Sequence, residues 1–247
     1  MIEENVLILE NKKIAKDVYR MVLKSDNTDK LLPGQFINIK VKDNFLRRPI
    51  SLCSIEPGKL SIIYKIQGIG TDKLSSYRVN EMLNIHLQLG NGFNVNKNLD
   101  EVLLIGGGVG VPPLYELAKR YRKIGTRVIG VLGYRSSEDV FLESEFKDLG
   151  VETYVATDDG SYGFHGNVIE LIESENIKTD FVYSVGPKPL LKAVSDIYSK
   201  GFISLEERMG CGIGACMGCV CHGGKDPSKY YRVCKEGPVF EIGKVEI

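Results

Sequence analysis

Glu101-Val-Leu-Leu-Ile-Gly-Gly-Gly-Val-Gly-Val-Pro-Pro-Leu114 is the stretch at which the chain changes its manner of folding. Val102-Leu-Leu-Ile105 is a continuous apolar run of the kind buried on both faces of a sheet. A glycine loop follows, and from Pro112 to Ile124 the residues Leu114, Leu117, Ala118 and Tyr121 fall at helical spacing. Strand, glycine turn and helix in immediate succession bring backbone N–H groups to the end of a sheet, where a dinucleotide phosphate can be held. By itself the run is weak evidence: Pro113 stands where the third glycine of the G-x-G-x-x-G fingerprint would be.

Downstream, strand and helix alternate. Val128-Ile-Gly-Val-Leu-Gly133 precedes a helix around Leu142 to Leu149, and Val151-Glu-Thr-Tyr-Val155 precedes one from Val168 to Ser174. Phe181-Val-Tyr-Ser-Val185 precedes a third, from Pro189 to Lys200. That alternation predicts a mostly parallel, Rossmann-like sheet with helices on both faces. Upstream the pattern is short β-rich runs cut by turn residues: Val6–Leu9, Val18–Leu23, Phe36–Val41, Leu60–Ile66 and Leu83–Leu87, with helix confined to the region of Lys73. These predict a small antiparallel barrel or sandwich. From about Ser204 the chain is rich in cysteine and glycine. The predicted organisation is therefore multi-domain: an antiparallel β-barrel over 1–97, a parallel α/β domain over 98–203, and a small cysteine-bearing domain over 204–247.

That last segment holds Met209-Gly-Cys-Gly-Ile-Gly-Ala-Cys-Met-Gly-Cys219, closed by Cys234. The Cys211-x4-Cys216-x2-Cys219 spacing with a distant fourth cysteine is that of plant-type [2Fe–2S] ferredoxins. The interleaved glycines allow tight turns that bring N–H groups near sulfur. A zinc site is the competing reading, although zinc proteins usually carry two C-x2-C pairs. A disulfide framework suits small secreted chains, and four core thiols would be an odd use of a glycine-rich loop. Cys53 is expected to be a small buried hydrophobe. Cys221 is expected not to ligate, and His222 lacks the second histidine of a Rieske pair, because His86 and His165 are remote in sequence.

Lysine plus arginine equals aspartate plus glutamate at 32 each, so charge balance points neither to nucleic acid nor to anionic membranes. The start, Met1-Ile-Glu-Glu-Asn5, is acidic where an export signal would be basic. No run approaches the roughly 20 apolar residues of a membrane span. The expected location is the cytoplasm.

In the β-rich half, Arg47-Arg-Pro-Ile-Ser-Leu52 offers arginine and hydroxyl groups suited to phosphate. Tyr64-Lys-Ile-Gln-Gly-Ile-Gly-Thr71 runs a strand into a glycine turn, with Thr71 ahead of a helical stretch. The pair, R-P-x-S followed by G-x-G-T, resembles the flavin-binding barrel of the ferredoxin reductase superfamily, and the glycine run ending in Pro113-Leu114 resembles the opening of its nicotinamide domain. The resemblance implies that Gly106, Gly107, Gly108 and Gly110 let NAD(H) approach closely. Asp158–Gly163 and Gly186-Pro-Lys-Pro-Leu190 would lie at the same edge of the sheet. Gly133-Tyr-Arg-Ser136 could meet the adenosine end, but a single arginine there does not argue for a 2′-phosphate, so NADH is the expected form. Flavin, nicotinamide and cluster would make a chain between a two-electron and a one-electron carrier. No group of His, Asp, Ser or Lys is left over for carbon chemistry, so electrons must pass to or from another protein.

From end to end the chain resembles the electron transfer subunits of class B dihydroorotate dehydrogenase. The likeness rests on Arg48-Pro-Ile-Ser51, Gly70-Thr71, Gly106–Pro113 and, above all, Glu206-Glu-Arg-Met-Gly-Cys-Gly-Ile-Gly-Ala-Cys-Met-Gly-Cys219 with Cys234. It implies FAD on Arg48, Pro49, Ile50, Ser51, Ile63, Tyr64, Lys65, Gly70 and Thr71, and one [2Fe–2S] cluster on Cys211, Cys216, Cys219 and Cys234. It also implies an FMN-containing dihydroorotate dehydrogenase catalytic subunit as partner, in a heterotetramer of two copies each, with NAD⁺ as acceptor in pyrimidine synthesis. Lys65 departs from the arginine frequent in that family, keeping charge but losing the bidentate grip on phosphate. Two other readings stand. One is a flavin subunit of an NADH-dependent ferredoxin:NADP or sulfide-type oxidoreductase, against which Cys211 counts. The other is a redox sensor or iron–sulfur scaffold without turnover, against which the flavin and nicotinamide motifs count.

Overall fold

The computed structural model describes residues 1–226 and 228–247. Its first part is a closed barrel of β1 (Ile2–Ala15), β2 (Val18–Lys24), β3 (Phe36–Lys40), β4 (Arg48–Glu56), β5 (Lys59–Lys65) and β6 (Met82–Leu89), in the order β1-β2-β5-β4-β3-β6. The pairings within it are antiparallel. The two-residue period of the sequence explains the closure. Leu83, Ile85 and Leu87 of β6 turn inward with Ile37 and Ile39 of β3 and Leu60, Ile62 and Tyr64 of β5, and they fill one continuous core. A short helix, α1 (Ile69–Ser75), joins β5 to β6 and buries Leu74. It begins two residues before Thr71, so Thr71 lies inside its first turn rather than ahead of it.

The second part is a sheet of β7 (Glu101–Gly107), β8 (Arg127–Tyr134), β9 (Glu152–Thr157), β10 (Phe164–His165), β11 (Val182–Val185) and β12 (Gly201–Ser204), all parallel. Alternate residues of β7 feed the two faces. Val102 and Leu104 pack with α2 (Val111–Lys123) and with Phe146 of α3 (Glu143–Asp148). Leu103 and Ile105 pack with α4 (Val168–Ser174) and with Val194 of α5 (Lys188–Ile197). The third helix stops at Ile197 rather than continuing to Lys200, because the backbone turns extended at Tyr198 (φ −107°, ψ 135°).

The C-terminal segment contributes a hairpin, β13 (Val220–His222) with β14 (Tyr230–Arg232), and β15 (Val239–Glu241). β15 adds antiparallel to β12, so the full sheet order is β10-β9-β8-β7-β11-β12-β15. The segment is too short to enclose a core of its own. Cys219, Val233, Cys234 and Phe240 pack instead with Phe36 and Leu89 of the barrel, with Leu191 of α5 and with Ile203 of β12.

Barrel and sheet are joined through α2. The buried carboxylate of Glu116 accepts from the Ile55 N–H (2.9 Å) and from Lys119 and Arg120 (3.0 Å each), while Arg120 donates to Leu31 O at 2.9 Å. A buried charge with every neighbour paired in this way is costly to disturb, which holds the two halves in one orientation.

Candidate cofactor sites

Strand order reverses between β7 and β11, and in parallel sheets ligands settle in the crevice that such a reversal opens. A cavity of about 830 Å³ lies there, lined by Gly107, Gly108 and Val109 at the end of β7 and by Pro187, Pro189 and Leu190 at the entry to α5. Arg135, Asp158, Glu170 and Glu173 complete it toward β8, β9 and α4. Of the four glycines named from sequence, Gly107 and Gly108 line this cavity and Gly106 and Gly110 do not. A Cβ on Gly110 would lie 2.3 Å from Val185 O, so its role is to let α2 start hard against β11. Gly108, at φ +53°, faces open space. Pro112 and Pro113 remove N–H donors from the first turn of α2, so an anion here meets the backbone of the glycine loop more than the helix end.

A second cavity, about 880 Å³, opens on the barrel. It brings together Arg48, Pro49, Ile50, Ser51, Ile63, Tyr64, Lys65, Gly70 and Thr71. The two motifs meet physically at one point: a Cβ on Gly70 would fall 2.0 Å from Arg48 Nε, so the guanidinium lies on the glycine. Arg47 also lines this cavity, but its guanidinium is already engaged. It donates to Asn38 O and Asn84 O (3.3 Å each) and pairs with Glu3 at 3.2 Å, tying strands together. Thr71 Oγ1 accepts from the Gln67 N–H (2.8 Å) and donates to Gly68 O (3.2 Å), so it shapes its own loop. Ile63 and Tyr64 are buried in the two main cores, and Tyr64 donates to Asn11 Oδ1 at 2.9 Å; β5 backbone is their contribution to the cavity. Lys65 reaches across the seam to Asp139 at 2.8 Å. Burial works against the Asp139 charge, but bonds from Lys65 and Ser136 outweigh it and hold the carboxyl below its usual range. Lys65, Gln67, Val109 and Glu206 line both cavities, which therefore adjoin. Glu206 is exposed as a whole, but loss of water around its carboxyl at the cavity wall raises it above its ordinary value.

The cysteines form two pairs. Cys216 N–H donates to Cys211 Sγ at 3.3 Å, and Cys234 N–H donates to Cys219 Sγ at 3.4 Å; Gly214 N–H reaches Cys234 Sγ at 3.2 Å and Gly218 N–H reaches Cys216 Sγ at 3.5 Å. Burial opposes ionisation of Cys211, yet N–H groups of Ile213 and Cys216 prevail and bring it down to about 6. Burial, together with Cys219 beside it, pushes Cys234 up to about 12. Among the described residues, no three His, Cys, Asp or Glu side chains converge as a single-ion site. Two sulfurs and two, each met by backbone N–H, is the division a two-iron cluster asks for, so the residues present fit a [2Fe–2S] group. Cys221 donates to Tyr231 O and stands outside this set, and Cys53 is buried, its thiol raised to about 12 by that burial.

The cysteine loop rests on the barrel. Asn38 Nδ2 donates to Cys211 O at 3.3 Å, and Asn38 lies directly opposite Pro49 in the β3–β4 register. Sequence reading passed over Asn38, and it met Val109 and Glu206 only as members of longer motifs, without a site role. Asn38 carried a signal, a polar residue inside an apolar strand run, and it is 1% exposed. Val109 and Glu206 carried none, because only the approach of the barrel to the sheet makes them neighbours.

A closed antiparallel barrel, a sheet with a ligand crevice at its reversal point and a four-cysteine loop beside them define a reductase of the ferredoxin reductase type carrying an iron–sulfur domain. The solved NADH-dependent reduced ferredoxin-NADP oxidoreductase overlaps it with a TM-score of 0.88 at 27% identity, over 98% of this chain and 89% of that one. A model of the iron–sulfur cluster binding domain of dihydroorotate dehydrogenase B matches residues 206–246. The dihydroorotate dehydrogenase B (NAD(+)) electron transfer subunits of Bacillus mycoides (strain KBAB4) and Bacillus cereus (strain G9842) are 45% and 44% identical, each over 99% of both chains. The chain belongs to the family of dihydroorotate dehydrogenase B (NAD(+)) electron transfer subunits.

Proposed function

We propose that the chain carries electrons between an FMN-containing dihydroorotate dehydrogenase catalytic subunit and NAD⁺, in a cytoplasmic heterotetramer of two copies of each subunit serving pyrimidine synthesis. Arg48 and its neighbours would hold FAD, Gly107 and Gly108 would admit NAD(H), and the four cysteines would hold a [2Fe–2S] cluster; together these groups would supply two-electron exchange with nicotinamide and one-electron exchange with the cluster. The observation that carries this reading is the contact of three sites. The two cavities share the wall of Lys65, Gln67, Val109 and Glu206, and the cysteine loop is bonded to the β3 residue facing Pro49.

The chain's own residues then divide the work. Arg48, with Gly70 beneath it, meets the FAD pyrophosphate, flanked by Pro49, Ile50, Ser51 and Thr71, while Ile63, Tyr64 and Lys65 supply the β5 wall. Gly107 and Gly108 admit the NAD(H) backbone, and Gly106 and Gly110 hold the loop that presents them. Three carboxylates, Asp158, Glu170 and Glu173, line the same cavity against one arginine, Arg135, a balance that favours NAD(H) over its phosphorylated form. Cys211, Cys216, Cys219 and Cys234 hold the cluster. Residues 1–97, 98–203 and 204–247 supply the flavin, nicotinamide and cluster sites respectively, with β15 returning to the middle sheet. No described helix is long and apolar enough to cross a membrane.

The decisive experiment purifies the chain with and without a co-expressed FMN dihydroorotate dehydrogenase subunit. Joint purification, and orotate formation coupled to NAD⁺ reduction only when both chains are present, is the expected result. A chain that instead exchanges electrons with ferredoxin and ignores the FMN subunit would point to the oxidoreductase reading that the 0.88 structural overlap also admits.

A further inference from the structure

Phe45 sits in the turn from β3 to β4 and is 100% exposed, an unusual place for a phenylalanine. Its loop is nonetheless anchored. Lys42 N–H donates to Tyr77 Oη (3.1 Å) and Asn44 N–H to Val41 O (3.2 Å). Arg48 grips both residues that flank Phe45, through Nη2 to Asn44 Oδ1 (2.9 Å) and Nη1 to Leu46 O (2.6 Å). The backbone is thus fixed while the ring is held out in water. Arg48 lies on Gly70, and the neighbour of Gly70 is Ile69, itself 75% exposed. Phe45, Leu46 and Ile69 all line the barrel cavity. None of them touches the sheet cavity, whose shared wall is Lys65, Gln67, Val109 and Glu206.

The chemistry along the cavity is therefore graded. The shared wall is where a flavin ring can meet a nicotinamide, Arg48 on Gly70 is suited to an anion, and the rim of Phe45, Leu46 and Ile69, with Asp43 and Asn44 beside it, belongs to neither. A flat apolar group joined to the far side of a pyrophosphate would fill that rim. We propose that Phe45 and Ile69 clamp the adenine of FAD, and that this clamp makes the cavity select FAD over FMN. The inference rests on the reading of the barrel cavity as the flavin site. It assigns the exposed ring a bound partner: adenine stacking on Phe45 removes from water an apolar face that the protein alone leaves bare. Arg48 acquires a second task, because the side chain that meets phosphate also orients the loop bearing the ring.

The test uses the full-length holoprotein as wild type, Phe45→Ala, Phe45→Trp and Ile69→Ala. Flavin release after dilution is followed by recovery of fluorescence, and affinities for FAD and for FMN are compared after flavin exchange. Base–aromatic stacking predicts FAD affinity about 10- to 100-fold weaker in Phe45→Ala, with FMN affinity unchanged. Phe45→Trp should keep FAD, and Ile69→Ala should show a smaller loss confined to FAD. Equal loss of FAD and FMN, or FAD held by Phe45→Ala as tightly as by wild type, would overturn the clamp. So would a Phe45→Ala chain that keeps FAD but no longer binds a catalytic subunit, since the ring would then be a docking residue. A wild-type chain that holds no FAD would instead overturn the flavin reading itself, so the two failures are distinguishable.

Discussion

Replacing Gly70 by alanine isolates the contact that joins the two flavin motifs. The added Cβ would lie 2.0 Å from Arg48 Nε and 2.6 Å from Cζ and Nη2, so the guanidinium must leave its seat. Nothing else opposes the substitution: Gly70 is not among the residues with positive φ, and it lies within α1, where alanine is favoured over glycine by about 0.5–1 kcal/mol. Against this stands the loss of the Arg48 bonds to Leu46 O and Asn44 Oδ1, worth about 0.5–1.5 kcal/mol each. The net is a loss of about 1 kcal/mol, so the flavin-free chain should unfold only a few degrees below wild type. FAD binding should not be spared. A charge-assisted bond to phosphate contributes about 1.5–3 kcal/mol, which corresponds to roughly 10- to 150-fold in affinity. Flavin content after purification, equilibrium FAD titration and thermal unfolding of the same preparations measure both sides. A Gly70→Ala chain with unchanged FAD affinity would show that Arg48 does not act from its place on Gly70.

Cys216→Ser should abolish the cluster's visible absorption and bound iron and sulfide while NADH still bleaches the flavin; loss of flavin as well would show that the two sites are not separable. Gly110→Ala sets a Cβ against Val185 O and Gly186 N, backbone that cannot yield, and should cost about 1–3 kcal/mol in thermal unfolding. Gly108→Ala meets open space at φ +53° and should cost about 1 kcal/mol while weakening NAD(H), so equal NAD(H) affinity in both variants would refute the division made between them. Asp139→Asn removes the half-buried partner of Lys65 and should lose about 1 kcal/mol at neutral pH. Because the folded carboxyl is held below its unfolded value, its contribution is complete above about pH 4 and disappears as pH falls through the depressed value. The difference in stability between wild type and Asp139→Asn should therefore vanish on acidification; a constant difference would refute it.

Local pattern carried much of the architecture, since it reports the immediate environment of each residue. The two-residue period of Leu83, Ile85 and Leu87 specifies a strand with one buried face, and the helical spacing of Leu114, Leu117 and Tyr121 after a glycine loop specifies the crossover beyond β7. Cysteine spacing specified a metal-type site for the same reason, because Cys211, Cys216 and Cys219 share one loop. Short strands were less legible. β10 has two residues and β12 begins at a glycine, so neither builds a period.

What only the tertiary structure decided concerns residues distant along the chain. Both arginines of Arg47-Arg48 suit phosphate by type, but Asn84 and Glu3 take the first, while Gly70 leaves room for the second. Gly106, Gly107, Gly108 and Gly110 look alike in sequence, and packing separates them: Gly106 lies against Val111 and Leu114 of α2 and Gly110 against Val185 of β11, while Gly107 and Gly108 line the cavity. Asn38 and Cys211 stand 173 residues apart, yet their bond sets the cluster loop beside the barrel. The sequence by itself determined which chemical groups this protein carries, because side-chain type and spacing are local. Their contact and their order along one path were decided by the closure of the barrel against the sheet, which is a sum of long-range packing that no local pattern encodes.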